Sequence, residues 1–203
     1  MKTLLAELKS ARVTMLDIHN AFDLRLYQNP SGDYEIVVCM KLQFFFENNH
    51  PHQWDEIEEN IFIMEWEQNI HEIWGNKILK TYPDGGKLSL HFEFTIQKGG
   101  WMFDHWEITV LKIGKGDFNM SYVLPILNNV KLDSEDLTTR GTQRAAVHEF
   151  GHMIGLRDEY NSAEHIHDYF SIMHNGEKVR DRHVFHFIDW ADKHIIASEE
   201  LVT

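Results

Sequence analysis

One short segment of the chain carries residue types that bind metal ions and move protons. It reads His148-Glu149-Phe150-Gly151-His152, the pattern H-E-x-x-H. On an α-helix, residues four apart lie on one face, so His148 and His152 can present two imidazoles to one cation. Glu149 then stands beside the cation, where its carboxylate can take a proton from a metal-bound water and pass it to a leaving amine. The segment therefore predicts metal-assisted hydrolysis.

A third ligand is needed, because zinc that does chemistry takes three protein ligands and keeps one position open for water. Gly155 lies three residues past His152, and glycine tolerates the left-handed conformation that ends a helix and turns the backbone. This turn would bring Asp158 back toward the histidines as an oxygen ligand. His165 and His167, in the loop that follows, are alternatives. Asp158 is favoured, since a ligand from the loop would leave the glycine turn without a purpose.

Two motifs together resemble a known group of enzymes. The pattern H-E-x-x-H-x-x-G-x-x-D resembles the zinc-binding consensus of the metzincin clan of metallopeptidases, most of which have histidine where this chain has Asp158. The aspartate version is similar to the small snapalysin-type proteases. The S-I-M-H at 171–174 is similar to the Met-turn of astacins, in which a methionine (here Met173) lies beneath the metal. The resemblance covers residues 139–175.

The resemblance implies a zinc endopeptidase with one catalytic Zn²⁺ held by His148, His152 and Asp158, and with Glu149 as the general base. It also implies a substrate bound as an extended strand along an edge strand above the cleft.

Other roles in the site stay open. In astacins a tyrosine two positions past the Met-turn methionine helps to hold the oxyanion, but that position is Asn175 here. Tyr160 and Tyr169 are the candidates to replace it. Glu159, next to the third ligand, is a candidate to orient a ligand histidine, because metal-bound histidines usually need a hydrogen-bonding partner.

The surrounding elements predict an α+β fold. Apolar residues alternate over 34–46 and 88–96, which is the period of strands, and a helical period follows over 54–74. We expect that helix to pack on the sheet through a stripe of Ile57, Ile61 and Met64, widened by Ile63, Trp66, Ile70, Ile73 and Trp74. The remaining predicted elements are strands at 11–18, 106–110 (antiparallel to 88–96, since the link is short) and 120–126 (an edge strand), and helices at 139–154 and 182–197.

No repeat or linker divides the 203 residues, so we expect a single catalytic domain. Its N-terminal lobe would span about 1–155 and its C-terminal lobe about 156–203. The resemblance implies a twisted mixed β-sheet with a backing helix and an active-site helix, then a smaller lobe with the Met-turn and a terminal helix.

Composition excludes several classes of function. The net charge of −13 argues against nucleic acid and anionic membrane surfaces as partners. No run is apolar enough to span a membrane, and the only cysteine, Cys39, cannot form an internal disulfide. Glu7 and Lys9 interrupt the apolar start, so we expect a cytoplasmic protein or one exported without a cleaved signal. The acidic surface favours basic substrates.

Two alternative functions are consistent with the same residues. One is a binding or scaffold protein with a structural zinc site, closed by His165 or His167 as a fourth ligand. Glu149 argues against it, because a structural site needs no general base. The other is a delivered toxin or effector acting on another amide, such as a peptidoglycan cross-link. Whether an inhibitor or immunity protein exists is left open.

Overall fold

The computed structural model describes residues 1–13, 16, 18–101 and 105–200. Three α-helices and eight strands form in that part of the chain, and the strands make one curled mixed sheet. The strands are β1 (Thr3–Leu8), β2 (Asp23–Gln28), β3 (Tyr34–Glu47), β4 (Lys77–Thr81), β5 (Lys87–Lys98), β6 (Trp106–Leu111), β7 (Tyr122–Leu124) and β8 (Asn129–Asp133). The helices are α1 (Glu56–Ile73), α2 (Ala145–Met153) and α3 (Asp181–Glu200). This content confirms the predicted α+β class.

The sheet is organised around β3, its longest strand. β5 pairs with β3 in parallel along one edge, while antiparallel β2 and parallel β6 share the other. Beyond β6 lie β8 and then β7, which runs antiparallel to β8. The predicted edge strand therefore exists as β7, shortened because Pro125 begins a single 3-10 turn, Pro125–Leu127.

The predicted antiparallel pairing of 88–96 with 106–110 is wrong. β5 and β6 both run parallel to β3 and never pair with each other. The connection between them crosses β3, where the buried amide of Gln43 donates hydrogen bonds of 2.8 and 2.7 Å to the carbonyls of Gly99 and Gly100. A short link thus joins two strands across a third, because a buried side chain satisfies the polar backbone of the crossing.

α1 packs on the sheet as predicted, through one part of its predicted apolar side. Phe62, Trp66 and Ile70 are buried, and the Trp66 ring contacts Phe44 and Phe94 of the sheet edge-on. Trp66 and Ile70 belong to the predicted apolar side, whereas the burial of Phe62 was not predicted. Ile57, Ile61 and Met64 instead face solvent, with exposed fractions of 71%, 44% and 59%. The aromatic residues face the sheet because phenylalanine and tryptophan remove more apolar area from water than isoleucine or methionine does.

The boundaries of other elements also differ from the predictions. The helix expected over 139–154 begins only at Ala145, since Arg140 and Gln143 pair in a tight turn before it. The strand expected over 11–18 falls partly on residues 14, 15 and 17, outside the described residues; Val13 and Ile18 form a single bridge. α3 covers the predicted 182–197.

One hydrophobic cluster contains residues from the sheet and all three helices. None of the helices in the described part of the chain is both long and apolar enough to cross a membrane.

Candidate metal centre

α2 is anchored by its apolar side, which leaves its histidines facing a cleft. Phe150 is buried, with its ring edge-on to Trp66 at 5.9 Å and to Phe92 at 5.2 Å between centroids. The indole N–H of Trp74 donates a 2.9 Å hydrogen bond to the carbonyl of Val147. These contacts position the helix rigidly against the sheet and α1.

The structure brings His148, His152 and Asp158 together. Asp158 Oδ1 lies 3.1 Å from His148 Nε2 and 3.3 Å from His152 Nε2. The three ligand atoms all lie within 4.8 Å of one another, and no other His, Cys, Asp or Glu of the described residues joins them. His165 and His167 are therefore outside this group.

Both histidines are oriented by backbone carbonyls. His148 Nδ1 lies 2.7 Å from the Ile172 oxygen, and His152 Nδ1 lies 2.8 Å from the Leu156 oxygen. Because a carbonyl only accepts, each Nδ1 carries a proton, and each Nε2 faces Asp158, where loss of its own proton frees a lone pair for a cation.

The role predicted for Glu159 is wrong. Its carboxylate accepts hydrogen bonds of 2.7 and 2.8 Å from Arg182 and lies 3.0 Å from His183 Nε2, so it does not contact a ligand histidine. The partners of Glu159 belong to α3, which sequence adjacency to Asp158 could not reveal.

Gly155 makes the turn that returns Asp158, as the sequence predicts. Its φ is +98°, and a Cβ there would overlap Val13 Cγ1. The amide of Gly155 bonds the carbonyl of His152 at 2.9 Å, and the amide of Leu156 bonds that of Gly151 at 3.0 Å. This pair of bonds is the Schellman motif, which places glycine at the first residue past the helix cap.

Met173 lies directly against α2 beneath the histidines. It is buried, and a Cβ on Gly151 would overlap its Sδ. The turn around it is closed by hydrogen bonds from the His174 amide to the Ser171 carbonyl at 3.0 Å and from the Glu159 amide to the Met173 carbonyl at 2.8 Å. The helix and the turn therefore fit only because position 151 lacks a side chain.

Sequence reasoning missed two residues that tie the turn to α2. The Gln143 amide donates hydrogen bonds of 2.6 and 2.7 Å to the carbonyls of Ile172 and Gly176. Arg144 forms a two-point ion pair with Glu177, with both distances 2.8 Å. Both residues directly precede α2, and no motif distinguishes them from other polar residues.

Burial and charge perturb the ionisable groups of the centre. Burial raises the pKa of Glu149, the shift that suits a group exchanging protons near neutral pH. Burial opposes ionisation of Asp158, but hydrogen bonds from His148, His152 and Tyr160 outweigh it and hold its pKa well below the ordinary value. Burial and the bond to Asp158 raise the pKa of the Tyr160 phenol to about 12.

The centre opens on a cleft of about 540 Å³. The β7 region contributes Met120, Tyr122 and Val123 to its lining, and the segment after α2 contributes Arg157, Tyr160 and Asn161. A ligand in the cleft can therefore contact the metal-ligand atoms, the Glu149 carboxylate and an open sheet edge together.

No protein-family model matches the chain, and no curated protein sequence matches it. The chemistry assigned to the centre rests on its geometry.

Proposed function

We propose that this protein is a zinc-dependent endopeptidase. The observation that carries the proposal is the convergence of His148, His152 and Asp158 within 4.8 Å of one another, on the floor of a cleft that Glu149 also lines. Two imidazoles, one carboxylate and an adjacent buried glutamate form a set suited to hydrolysis rather than to electron transfer or structural metal binding.

The donor set fits zinc. Zinc accepts nitrogen and oxygen ligands, and its catalytic sites combine three protein ligands with one open position. Both Nε2 atoms face Asp158 Oδ1, and the low pKa of Asp158 keeps its carboxylate ionised. When the two Nε2 atoms lose their protons, two lone pairs and a negative charge meet in a partly buried site, so a bound cation satisfies all three atoms.

The protein groups have distinct tasks in peptide hydrolysis. Zinc, when bound, would supply Lewis acidity that polarises the substrate carbonyl and promotes attack by water near neutral pH. Glu149 accepts a proton from the attacking water on its carboxylate and then delivers it to the amine that leaves. The Tyr160 hydroxyl, which hydrogen-bonds Asp158 at the cleft, is the group that would donate to a developing oxyanion.

A metzincin-like relationship is part of this proposal. It is supported by the motif at 148–158, by Met173 packed under the metal helix, and by an antiparallel edge strand at the cleft. Among the described strands β7 pairs with β8 alone, so its outer edge can accept an extended segment of substrate by strand addition. A single domain with the cleft between two lobes belongs to the same proposal.

A structural zinc site is the weaker alternative. It would need a fourth protein ligand to close the coordination sphere. Within the described residues the donor group has three members, and it borders open cleft. If the site were structural, the buried carboxylate of Glu149 would have no function.

The test combines metal analysis with proteolysis. We expect one zinc ion per chain by elemental analysis in both the wild type and Glu149→Gln, because Glu149 is not a ligand. Only the wild type should cleave casein, and removal of the base should lower the rate at least about 100-fold. Zinc in both proteins without cleavage by either would favour the structural site, and no zinc after reconstitution would refute the proposal.

A further inference from the structure

Exposed large apolar side chains occur in the two segments that contribute residues to the cleft lining. The segments are 118–127, which contains β7, and 160–170, which follows the third ligand. Met120 and Tyr122 of the first segment line the cleft and are 69% and 39% exposed, and Tyr160 of the second lines it and is 44% exposed. Contiguous exposed apolar surface on a folded protein usually marks a place where something binds.

Both segments are fixed by hydrogen bonds rather than left loose. Before β7, the Ser121 hydroxyl bonds the buried carboxylate of Asp136, and the Asn119 amide bonds Asp133 Oδ2 at 3.1 Å. In the second segment, the rings of Tyr160 and Tyr169 both pack edge-on against His174. The apolar side chains are therefore held at the cleft, where a ligand gains their contact without ordering them first.

The second segment, 160–170, connects the cleft to exposed aromatic residues beside it. Tyr160 lines the cleft and packs edge-on against His174, and Tyr169, which is 56% exposed, packs edge-on against the same ring. His174 is itself buried and tied to the Ile166 carbonyl at 3.1 Å. An extended ligand leaving the metal centre on this side would meet aromatic surface.

Charge at the cleft does not favour a basic ligand. Its acidic lining residues are Glu149 and Asp158, which the metal centre itself uses, and Arg157 adds a positive charge. The net charge of −13 is carried elsewhere on the surface. The expectation of basic substrates, drawn from total charge, thus does not describe the cleft.

We propose that the substrate is an extended protein segment with bulky apolar side chains close to the bond that is cut. This inference rests on the proposed endopeptidase function and specifies its substrate class. Met120 and Tyr122 would contact the substrate on the β7 side, and Tyr160 on the other. Each apolar side chain removed from water favours binding in proportion to its area.

The experiment uses zinc-loaded protein and two fluorogenic peptides that share a central Ala–Gly bond. One peptide has leucine and phenylalanine around that bond, and the other has lysine and serine. We expect the wild type to prefer the apolar peptide by about 30-fold or more in kcat/KM. The double variant Met120→Ser/Tyr122→Ser should reduce that preference about tenfold, mainly through KM.

A matched control comes from α1. Ile57 and Met64 are as exposed as the cleft residues but lie on a helix face that does not line the cleft. Ile57→Ser/Met64→Ser should leave the preference unchanged. If this control lowers the preference as much as the cleft variant does, the proposal is overturned.

Other outcomes separate this inference from the function on which it rests. Equal cleavage of both peptides would overturn the substrate class and leave the peptidase intact. Failure to cleave casein or either peptide would overturn both. Binding of phosphatidylcholine vesicles, or a dimer by light scattering, that disappears only in Met120→Ser/Tyr122→Ser would assign the apolar surface to a membrane or a second copy instead.

Discussion

At the scale of single side chains, the metal centre depends most on Asp158. It bridges both histidines in space and is the only oxygen donor of the group among the described residues. The two rings reach it because backbone carbonyls hold their Nδ1 atoms.

We expect Asp158→Asn to weaken zinc binding by about 100-fold or more, since it removes the negative charge from the ligand set. His165→Ala and His167→Ala are the controls and should bind zinc like the wild type. Competition with a chromophoric chelator measures all three. Loss of zinc in either histidine variant, with binding retained in Asp158→Asn, would make the later loop the source of the third ligand.

Gly155 is constrained in two independent ways, by its left-handed backbone and by contact with Val13. Gly155→Ala should therefore lower the free energy of unfolding by about 2 to 4 kcal/mol, the sum of conformational strain and overpacking. Gly85→Ala is the matched control: its φ is +92°, but a Cβ there has no neighbour within 4 Å. Gly85→Ala should lower the free energy of unfolding by only about 1 kcal/mol. Urea denaturation of the metal-free proteins measures the loss of stability in both variants. Equal losses would show that contact with Val13 does not add to the destabilisation by Gly155→Ala.

At the scale of elements, the orientation of α1 separates a buried aromatic face from an exposed aliphatic one. Phe62 packs edge-on against Trp54 and Phe46, whereas Ile61 beside it is exposed. The same helix thus supports the sheet under α2 and presents an apolar stripe to solvent.

Phe62→Ala should destabilise the protein by about 3 to 4 kcal/mol, because it leaves a cavity beside the rings of Trp54 and Phe46. Ile61→Ala, one residue away, should change the free energy of unfolding by less than about 1 kcal/mol. Thermal unfolding monitored by circular dichroism compares the stabilities of both variants with that of the wild type. A larger loss in Ile61→Ala than in Phe62→Ala would mean that the helix is rotated relative to the structure described.

At the scale of the whole molecule, an ion cluster joins the segment after the metal ligands to α3. Glu159 and Asp168 accept hydrogen bonds from Arg182, and Asp168 also pairs with Arg180. Burial opposes ionisation of Glu159, but the bonds from Arg182, Ser171 and His183 outweigh it and lower its pKa from the ordinary 4.5 to about 2.

This lowered pKa predicts acid sensitivity. A carboxylate with a folded-state pKa below its unfolded value stabilises the fold fully above the unfolded pKa and loses that contribution as the pH falls toward the folded pKa. Stability should therefore decline between about pH 4.5 and pH 2. Glu159→Gln should flatten that part of the profile and lower stability by about 1 to 3 kcal/mol at pH 7. Glu164→Gln, whose side chain is 84% exposed, should keep the wild-type profile in urea titrations.

Local spacing was enough to predict the helix that carries His148 and His152, the turn at Gly155 and the return of Asp158. Residues a few positions apart on a helix and its cap have fixed relative positions, so the sequence determines them without knowledge of the rest. The alternation of apolar residues over 34–46 and 88–96 likewise predicted two strands. Successive side chains of a strand point to opposite faces wherever the strand lies in the fold.

Features that depend on contacts between residues far apart in the chain were determined only by the tertiary structure. The parallel order of β5, β3 and β6, the face on which α1 packs and the pairing of Glu159 with Arg182 all join residues far apart in the chain. The same holds for the carbonyl of Ile172, which orients His148 from a turn 24 residues later. Such contacts are selected by the burial of large surfaces and the pairing of buried charges over the whole molecule, and no local pattern encodes them.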